Sequence, residues 1–498
     1  MKIYPPYIIT AILILLFTRC NSADKEYQGI YEGEPRINSP YVTGNYPNTP
    51  FLFYIPTAGE RPVKWSANNL PEGLSLDSNT GIIRGTVEEA GDYRVELIAE
   101  NKYGSTKSEL TISIGDKLLL TPPMGWNSWN TFGENLDGKL IMEVAEAMIR
   151  SGMRDVGYTY INIDDFWQLT ERGEDGHIQI DKEKFPNGIK AVADYLHERG
   201  FKLGIYSDAA DRTCGGVCGS YGFEKVDAAD FAEWGVDLLK YDYCNAPQDK
   251  QEAIKRYEAM GNALKATKRS IVYSICEWGQ LEPWDWAEKV GGHYWRTTFD
   301  IRDKWYTDKY SNADNGILNI IELNAPLAKY AKPGAWNDPD MLVVGISGNS
   351  QNKVTGDKKS GCTDEQYRTH MSMWSMMAAP LLAGNDVRNM DSTTISILTN
   401  PEIIAINQDI LGKQAERIVN TPTYQIWRKP LVEGKEAIAC FNTTENVIEF
   451  TLDENMVASM AISKEIRDVW AHKNIKVDSK KMNIILRPYQ CGIYIVNK

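Results

Sequence analysis

The stretch Leu238-Leu-Lys-Tyr-Asp-Tyr-Cys244 decides the fold, because it predicts a buried β-strand that ends in a polar cluster. Side chains alternate between the two faces of a strand, so Lys240, Asp242 and Cys244 are expected on one face. An ammonium group next to a carboxylate favours the ionised carboxylate at neutral pH. An ionised carboxylate can act as a nucleophile, but a structural ion pair at a strand end would give the same pattern.

A second stretch, Arg296-Thr-Thr-Phe-Asp300, repeats this arrangement. Its alternation predicts that Arg296, Thr298 and Asp300 share a face and that Asp300 ends a strand. Two carboxyl groups at two strand ends are the catalytic groups that glycoside hydrolysis uses. The two stretches together therefore favour a catalytic role for Asp242 and Asp300 over a structural one.

Composition limits the classes of function. A chain of 498 residues is expected to form two or three domains. The formal net charge of −13 argues against a nucleic-acid partner, whose phosphates require a basic surface. Cys214 and Cys218 are not followed by a second pair at zinc spacing, and the chain has only 5 His. The sequence therefore predicts neither a metal site nor a cofactor.

The first twenty residues predict a secretion signal. Lys2 is basic and residues 8–17 are apolar, but this run is too short to span a bilayer. Cys20 resembles the lipid-acceptor cysteine of bacterial lipoproteins, although Arg19 differs from the small residue usual before it. We expect export to the periplasm or cell surface, with a lipid anchor in the outer membrane as the only membrane contact. Cleavage without lipidation, or retention of the segment, are the alternatives.

Residues 27–116 predict an immunoglobulin-like β-sandwich. Short alternating runs at 51–55, 63–65, 81–84, 93–99 and 110–114 are separated by turn residues. Residues 70–86 resemble the immunoglobulin-like repeat attached to many bacterial surface enzymes. This module carries no catalytic grouping, so we expect a spacer or accessory role.

Residues 117–412 predict a (β/α)₈ barrel. Eight strand-like runs alternate with helix-like segments, and several runs finish in acidic residues. The predicted strands are 123–127, 158–165, 202–208, 236–243, 270–278, 293–300, 336–344 and 380–386. A doubly wound sheet is the alternative, but it requires a glycine-rich turn after the first strand, which the sequence lacks. Residues 413–498 predict a small antiparallel β-domain.

The barrel segment resembles glycoside hydrolase family 27, the α-galactosidase or melibiase family. The resemblance rests on motifs in the order of the family, covering nearly all of 118–412. They are Pro122-Pro-Met-Gly-Trp-Asn-Ser-Trp-Asn130, Ile163-Asp-Asp-Phe-Trp167, Lys202-Leu-Gly-Ile-Tyr-Ser207, Leu239-Lys-Tyr-Asp-Tyr-Cys244, Cys276-Glu-Trp278, Trp295-Arg-Thr-Thr-Phe-Asp-Ile-Arg-Asp303, Gly334-Ala-Trp-Asn-Asp-Pro-Asp-Met-Leu342 and Ala405-Ile-Asn-Gln-Asp409.

The resemblance implies a retaining exo-α-galactosidase that acts on terminal α-D-galactosyl residues of oligosaccharides or glycans. Asp242 would be the nucleophile and Asp300 the acid/base. Lys240 would keep Asp242 charged, whereas the acid/base needs a raised pKa. A cation beside Asp300 would oppose that need, so Arg296 is expected to contact a sugar hydroxyl or Asp242 instead.

The resemblance also implies a galactose pocket. Asp164 and Asp165 would bind the O4 and O6 hydroxyls, with a helix N-cap as the alternative reading. Trp126 would pack against the sugar, with barrel core as the alternative. Glu277 would favour galactose over N-acetylgalactosamine, because relatives that cleave the latter carry a small residue there. The remaining residues implied to line the pocket are Tyr206, Cys276, Trp278, Asp340 and Met341.

Two further expectations follow from the resemblance. Cys214 and Cys244 would form a disulfide beside the active site, with two free thiols as the alternative. A relative acting on β-L-arabinopyranosides or α-N-acetylgalactosaminides is the nearest alternative function, and Asp164-Asp165 favours galactose with its exocyclic CH2OH group. A non-catalytic surface sugar-binding protein is a more distant alternative, since it would require the loss of one carboxylate.

Overall fold

The computed structural model describes residues 32–312, 314–349, 361–461, 465–477 and 481–496. The predicted signal segment and Cys20 therefore lie outside the described residues. Within the described ranges, no helix combines the length and apolar character needed to cross a membrane.

The first domain is a β-sandwich, as predicted. One sheet has the strand order β2-β9-β8-β5, a second has β3-β7-β6, and β1 pairs with β4. Its core holds Trp65, Val95 and Leu110 between the sheets. The strands are β1 Arg36–Ile37, β2 Val42–Asn45, β3 Pro50–Tyr54, β4 Thr57–Ala58, β5 Lys64–Asn68, β6 Leu74–Asp77, β7 Ile82–Thr86, β8 Gly91–Asn101 and β9 Gly104–Ile114.

The central domain is a parallel eight-stranded sheet in the order β18-β17-β16-β15-β14-β11-β10-β19. A parallel bridge between Leu342, on the segment after β18, and Ala383 of β19 links the two edges of this sheet, as in a closed barrel. The barrel strands are β10 Met124–Asn127, β11 Tyr160–Asn162, β14 Lys202–Asp208, β15 Leu238–Asp242, β16 Val272–Ile275, β17 Tyr294–Arg296, β18 Trp336–Asp338 and β19 Leu381–Ala383, and a hairpin of β12 Gln168–Arg172 and β13 Ile178–Ile180 lies outside the sheet.

Helices surround this sheet. The α-helices are α1 Trp129–Phe132, α2 Gly138–Arg150, α3 Gly188–Glu198, α4 Glu224–Trp234, α5 Lys250–Ala266, α6 Ile317–Asn324, α7 Asp364–Met376, α8 Ser392–Leu398 and α9 Pro401–Asn407. Side-chain caps mark several starts: Asp137 accepts from Leu140 N–H, Asp249 from Glu252 N–H, and Thr363 forms a capping box with Gln366. Between β16 and β17 the chain forms two short 3₁₀ helices, Pro283–Asp285 and Ala287–Val290.

The third domain is antiparallel, as predicted. One sheet has the order β20-β21-β22-β27-β24-β25, and β23 pairs with β26. The strands are β20 Glu416–Asn420, β21 Tyr424–Pro430, β22 Glu436–Asn442, β23 Ile448–Asp453, β24 Glu465–Asp468, β25 Lys473–Lys476, β26 Lys481–Leu486 and β27 Cys491–Val496. We did not predict β20, β24 and β25, which are short and rich in charged residues.

The first domain packs against the amino ends of the barrel strands. Asp155, in a short 3₁₀ helix before β11, is fully buried and accepts hydrogen bonds from Tyr54 Oη at 2.5 Å and Arg61 Nη2 at 2.6 Å. Tyr46 Oη also lies 3.2 Å from His293 Nε2, before β17. This end of the barrel is therefore covered, and the carboxyl ends of the strands remain open to a substrate.

Candidate active site

A cavity of about 340 Å³ opens at the carboxyl ends of the barrel strands. Both predicted catalytic residues, Asp242 and Asp300, line it. This is the end of a (β/α)₈ barrel at which catalytic groups are found. The other lining residues are Trp129, Asn130, Asp164, Asp165, Tyr206, Cys214, Lys240, Cys244, Trp278, Gln280, Arg296, Phe299, Asn312, Asp340 and Met341.

Asp242 is the last residue of β15 and is 4% exposed. Tyr206 Oη donates to its Oδ2 at 3.1 Å, and Tyr243 N–H donates to its Oδ1 at 3.1 Å. Burial raises the pKa of Asp242 to about 6, Lys240 opposes this rise, and Asp300 adds to it. Asp242 is therefore mainly ionised at pH 7 but is protonated under mildly acidic conditions.

Asp300 does not end a strand, contrary to prediction. Strand β17 stops at Arg296, which pairs with Asp338 of β18, and the chain then bends. Arg296 Nη2 donates to Asp300 Oδ1 at 3.1 Å. In an extended strand, Cα atoms four residues apart are separated by about 13 Å, so this contact requires the bend. Asp300 reaches the cavity on a loop.

Arg296 has two carboxylate partners that we did not predict. Its guanidinium contacts Asp300 at 3.1 Å and Asp340 Oδ2 at 2.9 Å. Burial alone would lower the pKa of Arg296, but Asp340 and other neighbours raise it well above its ordinary value. Arg296 is thus a permanent cation that links the loop carrying Asp300 to the loop after β18.

Lys240 also has a different direct partner from the one predicted. Its ammonium lies 2.8 Å from Asp164 Oδ2, which also accepts from Asn127 Nδ2 at 2.8 Å. Lys240 therefore acts on Asp242 from a longer distance, although it is the main group opposing the rise in the pKa of Asp242.

Asp164 and Asp165 follow β11, and no helix starts there in the described chain, which removes the N-cap reading. Asp165 accepts hydrogen bonds from Phe166 N–H at 2.9 Å and from Gly215 N–H at 2.8 Å. Burial is the main cause that raises the pKa of Asp165 to about 6. The two carboxylates lie side by side on the cavity wall, where they can accept hydrogen bonds from hydroxyl groups.

Three predicted residues do not line the cavity. Trp126 is fully buried in the barrel core and donates its indole N–H to Asn385 O at 2.8 Å. Cys276 and Glu277 are each 1% exposed. The Glu277 Oε2 atom accepts from Leu281 N–H at 2.6 Å, and burial raises the pKa of Glu277 to about 8. Direct contact of Glu277 with a substituent on the sugar therefore receives no support from the geometry.

Several lining residues were not predicted. One of them is Trp129, whose ring stacks on that of Phe166, with 6.2 Å between the ring centroids and 7° between the ring planes. Gln280 and Phe299 also belong to this group. Trp129 lies in the same motif as Trp126, three positions later, so the sequence contained the residue but did not indicate which ring faces the cavity.

Two residues that line the cavity have a strained backbone conformation. Trp278 and Asp340 both line the cavity and have φ of 59° and 82°, and the neighbouring Phe166 has φ of 76°. Residues other than glycine adopt positive φ at a cost of about 1–3 kcal/mol and are frequent at functional sites. These turns aim the side chains of Trp278 and Asp340 into the cavity mouth.

The predicted disulfide is confirmed. Cys214 and Cys244 are bonded, with 5.0 Å between their Cα atoms, and so tie the loop after β14 to the end of β15. Possible ligand atoms of Asp208, Asp242 and these two cysteines lie within 4.8 Å of one another. Because the two sulfur atoms are bonded to each other, they are not thiolate ligands of the kind that zinc sites use.

The site thus combines carboxylates, the buried Arg296, the half-buried Lys240 and flat rings around one small cavity. Carboxylates that accept hydroxyl hydrogen bonds and rings that pack against apolar CH faces suit a sugar ring. Two carboxyl groups, Asp242 at the end of β15 and Asp300 on the loop after β17, reach the cavity and supply the groups needed to cleave a glycosidic bond.

Comparisons with known proteins agree with this chemistry. The family model described as Alpha galactosidase A matches residues 121–409. Models of an immunoglobulin-like domain and of the α-galactosidase C-terminal β-sandwich domain match residues 34–115 and 421–496.

Three relatives illustrate the similarity. Alpha-galactosidase A of Cellvibrio japonicus is 46% identical over 340 residues, covering 68% of this chain and 80% of the relative. The α-galactosidase of Cyamopsis tetragonoloba is 39% identical over 415 residues, covering 82% and 91%. A crystal structure of a Bacteroides fragilis protein is 61% identical with a TM-score of 0.91, covering 94% and 99%. The chain is therefore a glycoside hydrolase of the melibiase family of α-galactosidases, with an immunoglobulin-like domain before the barrel.

Proposed function

We propose that this protein is a retaining exo-α-galactosidase that removes terminal α-D-galactosyl residues from oligosaccharides or glycans. The observation that carries the proposal is that Asp242 and Asp300 line one small cavity in a member of an α-galactosidase family. The matched region covers 80% and 91% of the lengths of the two curated relatives named above.

In the first step, ionised Asp242 attacks the anomeric carbon while Asp300 donates a proton to the departing glycosidic oxygen. This step forms a covalent bond between Asp242 and the anomeric carbon. In the second step, Asp300 removes a proton from water, which attacks the same carbon, breaks its bond to Asp242 and releases galactose with retained configuration. Tyr206 holds Asp242 in position through its hydroxyl, and Arg296 holds Asp300.

Asp164 and Asp165 are proposed to accept hydrogen bonds from the O4 and O6 hydroxyls of galactose. Lys240 holds Asp164 through an ion pair, and Gly215 N–H, on the disulfide-bonded loop, holds Asp165 through a hydrogen bond. Trp129, rather than Trp126, is proposed to contact the apolar face of the sugar. Trp278 and Gln280 form the wall where we had expected Glu277.

The main alternative is a related enzyme for another sugar, a β-L-arabinopyranoside or an α-N-acetylgalactosaminide. Asp164-Asp165 supports galactose because two adjacent acceptors suit both O4 and the exocyclic O6. A binding protein without catalysis has less support, since both catalytic carboxyl groups reach the cavity.

A panel of p-nitrophenyl glycosides tests this proposal. We expect kcat/KM for the α-D-galactoside to exceed those for the α-N-acetylgalactosaminide and the β-L-arabinopyranoside by at least about 100-fold. NMR of the first product should show α-galactose before mutarotation. Comparable rates on the N-acetylated substrate, or β-galactose as first product, would overturn the specificity or the mechanism respectively.

We also propose that the protein is exported and lipid-anchored through Cys20. Support comes from the basic and apolar N-terminal segment and from the cysteine that follows it. Metabolic labelling with a palmitate analogue, compared between the natural chain and Cys20→Ala, tests the anchor. Equal labelling of the two chains would contradict it.

A further inference from the structure

A second groove, of about 470 Å³, lies beside the catalytic cavity. One wall is formed by Tyr306 and Tyr310, on the loop that follows β17, and by Leu323 of α6. The opposite wall belongs to the C-terminal domain and includes Thr421 and Gln425. The groove therefore lies at the junction of the barrel with the C-terminal domain.

The groove and the catalytic cavity share one segment of chain. Phe299 N–H donates a hydrogen bond to Tyr310 Oη at 2.7 Å, and the centroids of the two rings lie 5.7 Å apart. Phe299 and Asp300 line the catalytic cavity, whereas Tyr306 and Tyr310 line the groove. The loop after β17 is thus a wall of both.

The position of Asp300 indicates on which side of the catalytic cavity the leaving group of the substrate lies. A general acid must lie within hydrogen-bond reach of the oxygen that it protonates, which here is the oxygen of the leaving group. Asp300 therefore marks the side of the cavity on which the leaving group lies. A leaving group that extends past Asp300 and Phe299 would follow their loop toward Tyr310 and the groove.

The lining of the groove suits a neutral saccharide. Tyr306 is 52% exposed and Leu323 is 41% exposed, so apolar surface is open to solvent at this place. Among the described lining residues only Glu322 is charged, and its Oε2 is paired with Arg417 Nη1 at 2.6 Å. Tyrosine rings pack against the CH faces of sugars, and amides and hydroxyls at the rim bind their hydroxyl groups.

We infer that this groove binds the sugar units of the leaving group beyond the first, so that the enzyme prefers α-galactosyl groups carried on an extended neutral saccharide. This inference rests on the proposed function and specifies its substrate class. The loop after β17 would then have two roles. One end carries the acid/base, and the other binds the saccharide from which galactose is removed.

The test compares two substrates in two variants. The substrates are p-nitrophenyl α-galactoside, which has no leaving-group sugar, and a mannopentaose carrying one α-1,6-linked galactosyl group. For Tyr306→Ala we expect the ratio of kcat/KM on the pentaose to kcat/KM on the aryl substrate to fall about fivefold to tenfold. Leu323→Lys places a charge in the same groove and should lower this ratio in the same direction.

Tyr103→Ala is the matched control, because Tyr103 is 50% exposed on the first domain, remote from the groove. Its ratio should equal that of the natural enzyme. An unchanged ratio in both groove variants would overturn the inference, and so would equal falls on both substrates. A natural enzyme that does not hydrolyse the aryl galactoside would instead overturn the proposed function.

Discussion

The two ends of β15 carry the same side chain in opposite settings. Asp237 precedes the strand and Asp242 ends it. Asp237 accepts from His197 Nε2 at 2.7 Å, Arg269 Nη2 at 2.6 Å and Leu203 N–H at 2.8 Å. Although burial opposes it, His197 and Arg269 lower the pKa of Asp237, whereas burial raises the pKa of Asp242 to about 6.

The difference lies in what surrounds each carboxylate. Asp237 pairs with the Arg269 guanidinium and with the His197 imidazole at the amino end of the barrel, near the first domain. Asp242 has a tyrosine hydroxyl and a backbone N–H as partners, and Asp300 and Asp164 both raise its pKa. At the amino end of the barrel, an ion pair thus stabilises the fold. At the carboxyl end, several carboxylates surround a cavity that a substrate can fill, and their negative charges are only partly balanced by cations.

The largest expected effect on activity is at the carboxyl end of the barrel strands, where the cavity lies. Asp242→Asn should lower kcat by about 10⁴-fold or more, because the amide cannot attack the anomeric carbon. The melting temperature should stay the same or rise, since the change removes a buried charge from a cluster of carboxylates. Steady-state kinetics and a thermal melt check this. A variant that keeps more than about one hundredth of the natural kcat would contradict the comparison.

At the covered end, Asp237→Ala should destabilise the protein by about 3 kcal/mol, because it leaves the half-buried Arg269 guanidinium and the buried Leu203 N–H without their acceptor. The kcat of the folded fraction should be unchanged. Denaturant unfolding monitored by tryptophan fluorescence measures the loss in the free energy of unfolding. Asp194→Ala is the control, since Asp194 forms an exposed pair with Lys190 on α3 and should cost at most about 0.5 kcal/mol.

The sign of the Asp237 effect with pH can also be tested. A carboxyl group with a lowered pKa stabilises the fold above its unfolded pKa of about 3.9, and this contribution disappears as the pH falls through the folded pKa. The difference in stability between the natural protein and Asp237→Ala should therefore be complete at pH 6 and shrink at strongly acidic pH. A difference that grows as the pH falls would contradict the pairing.

Two tryptophans of one motif sharpen the comparison. Trp129→Ala should lower kcat/KM about 10-fold to 100-fold with little loss of stability, because Trp129 lines the cavity. Trp126→Ala should instead cost about 3–5 kcal/mol of stability, because Trp126 fills the core. Parallel kinetics and melts on both variants distinguish the roles. A large loss of activity without a loss of stability in Trp126→Ala, with the opposite result in Trp129→Ala, would instead support contact of Trp126 with the sugar.

The smallest effect is a pH dependence. The nucleophile must be ionised, so kcat/KM should fall as the pH drops through about 6, approaching tenfold per pH unit below it. A profile on p-nitrophenyl α-galactoside with stopped assays measures the acidic limb. A midpoint near 4, the ordinary value for aspartate, would show that burial does not control Asp242.

The sequence predicted the barrel because strands buried on both faces appear as apolar runs bounded by turns. All eight predicted strands are present, and β15 ends at Asp242 as expected. The prediction from strand alternation was wrong after Arg296, the last residue of β17 that pairs with β18. It placed Asp300 on a strand, whereas the chain bends after Arg296, and which residues such a bend brings together cannot be read from a two-residue period.

The same limit explains the misplaced pocket residues. Strand β10 ends at Asn127 and α1 begins at Trp129, so the choice between two rings depends on the turn between them. Trp278 has positive φ, and this turn leaves the Glu277 carboxylate hydrogen-bonded to Leu281 N–H. The family motifs located the catalytic site, but the contacts within it required the tertiary structure.

The most direct test of the account is to trap the covalent intermediate. A 5-fluoro-α-galactosyl fluoride should inactivate the enzyme by forming a slowly hydrolysed glycosyl-enzyme, and peptide mapping by mass spectrometry should place the label on Asp242. Asp242→Asn, treated in parallel, should remain unlabelled. A label on another carboxylate, Asp300 included, would contradict the assignment of Asp242 as nucleophile.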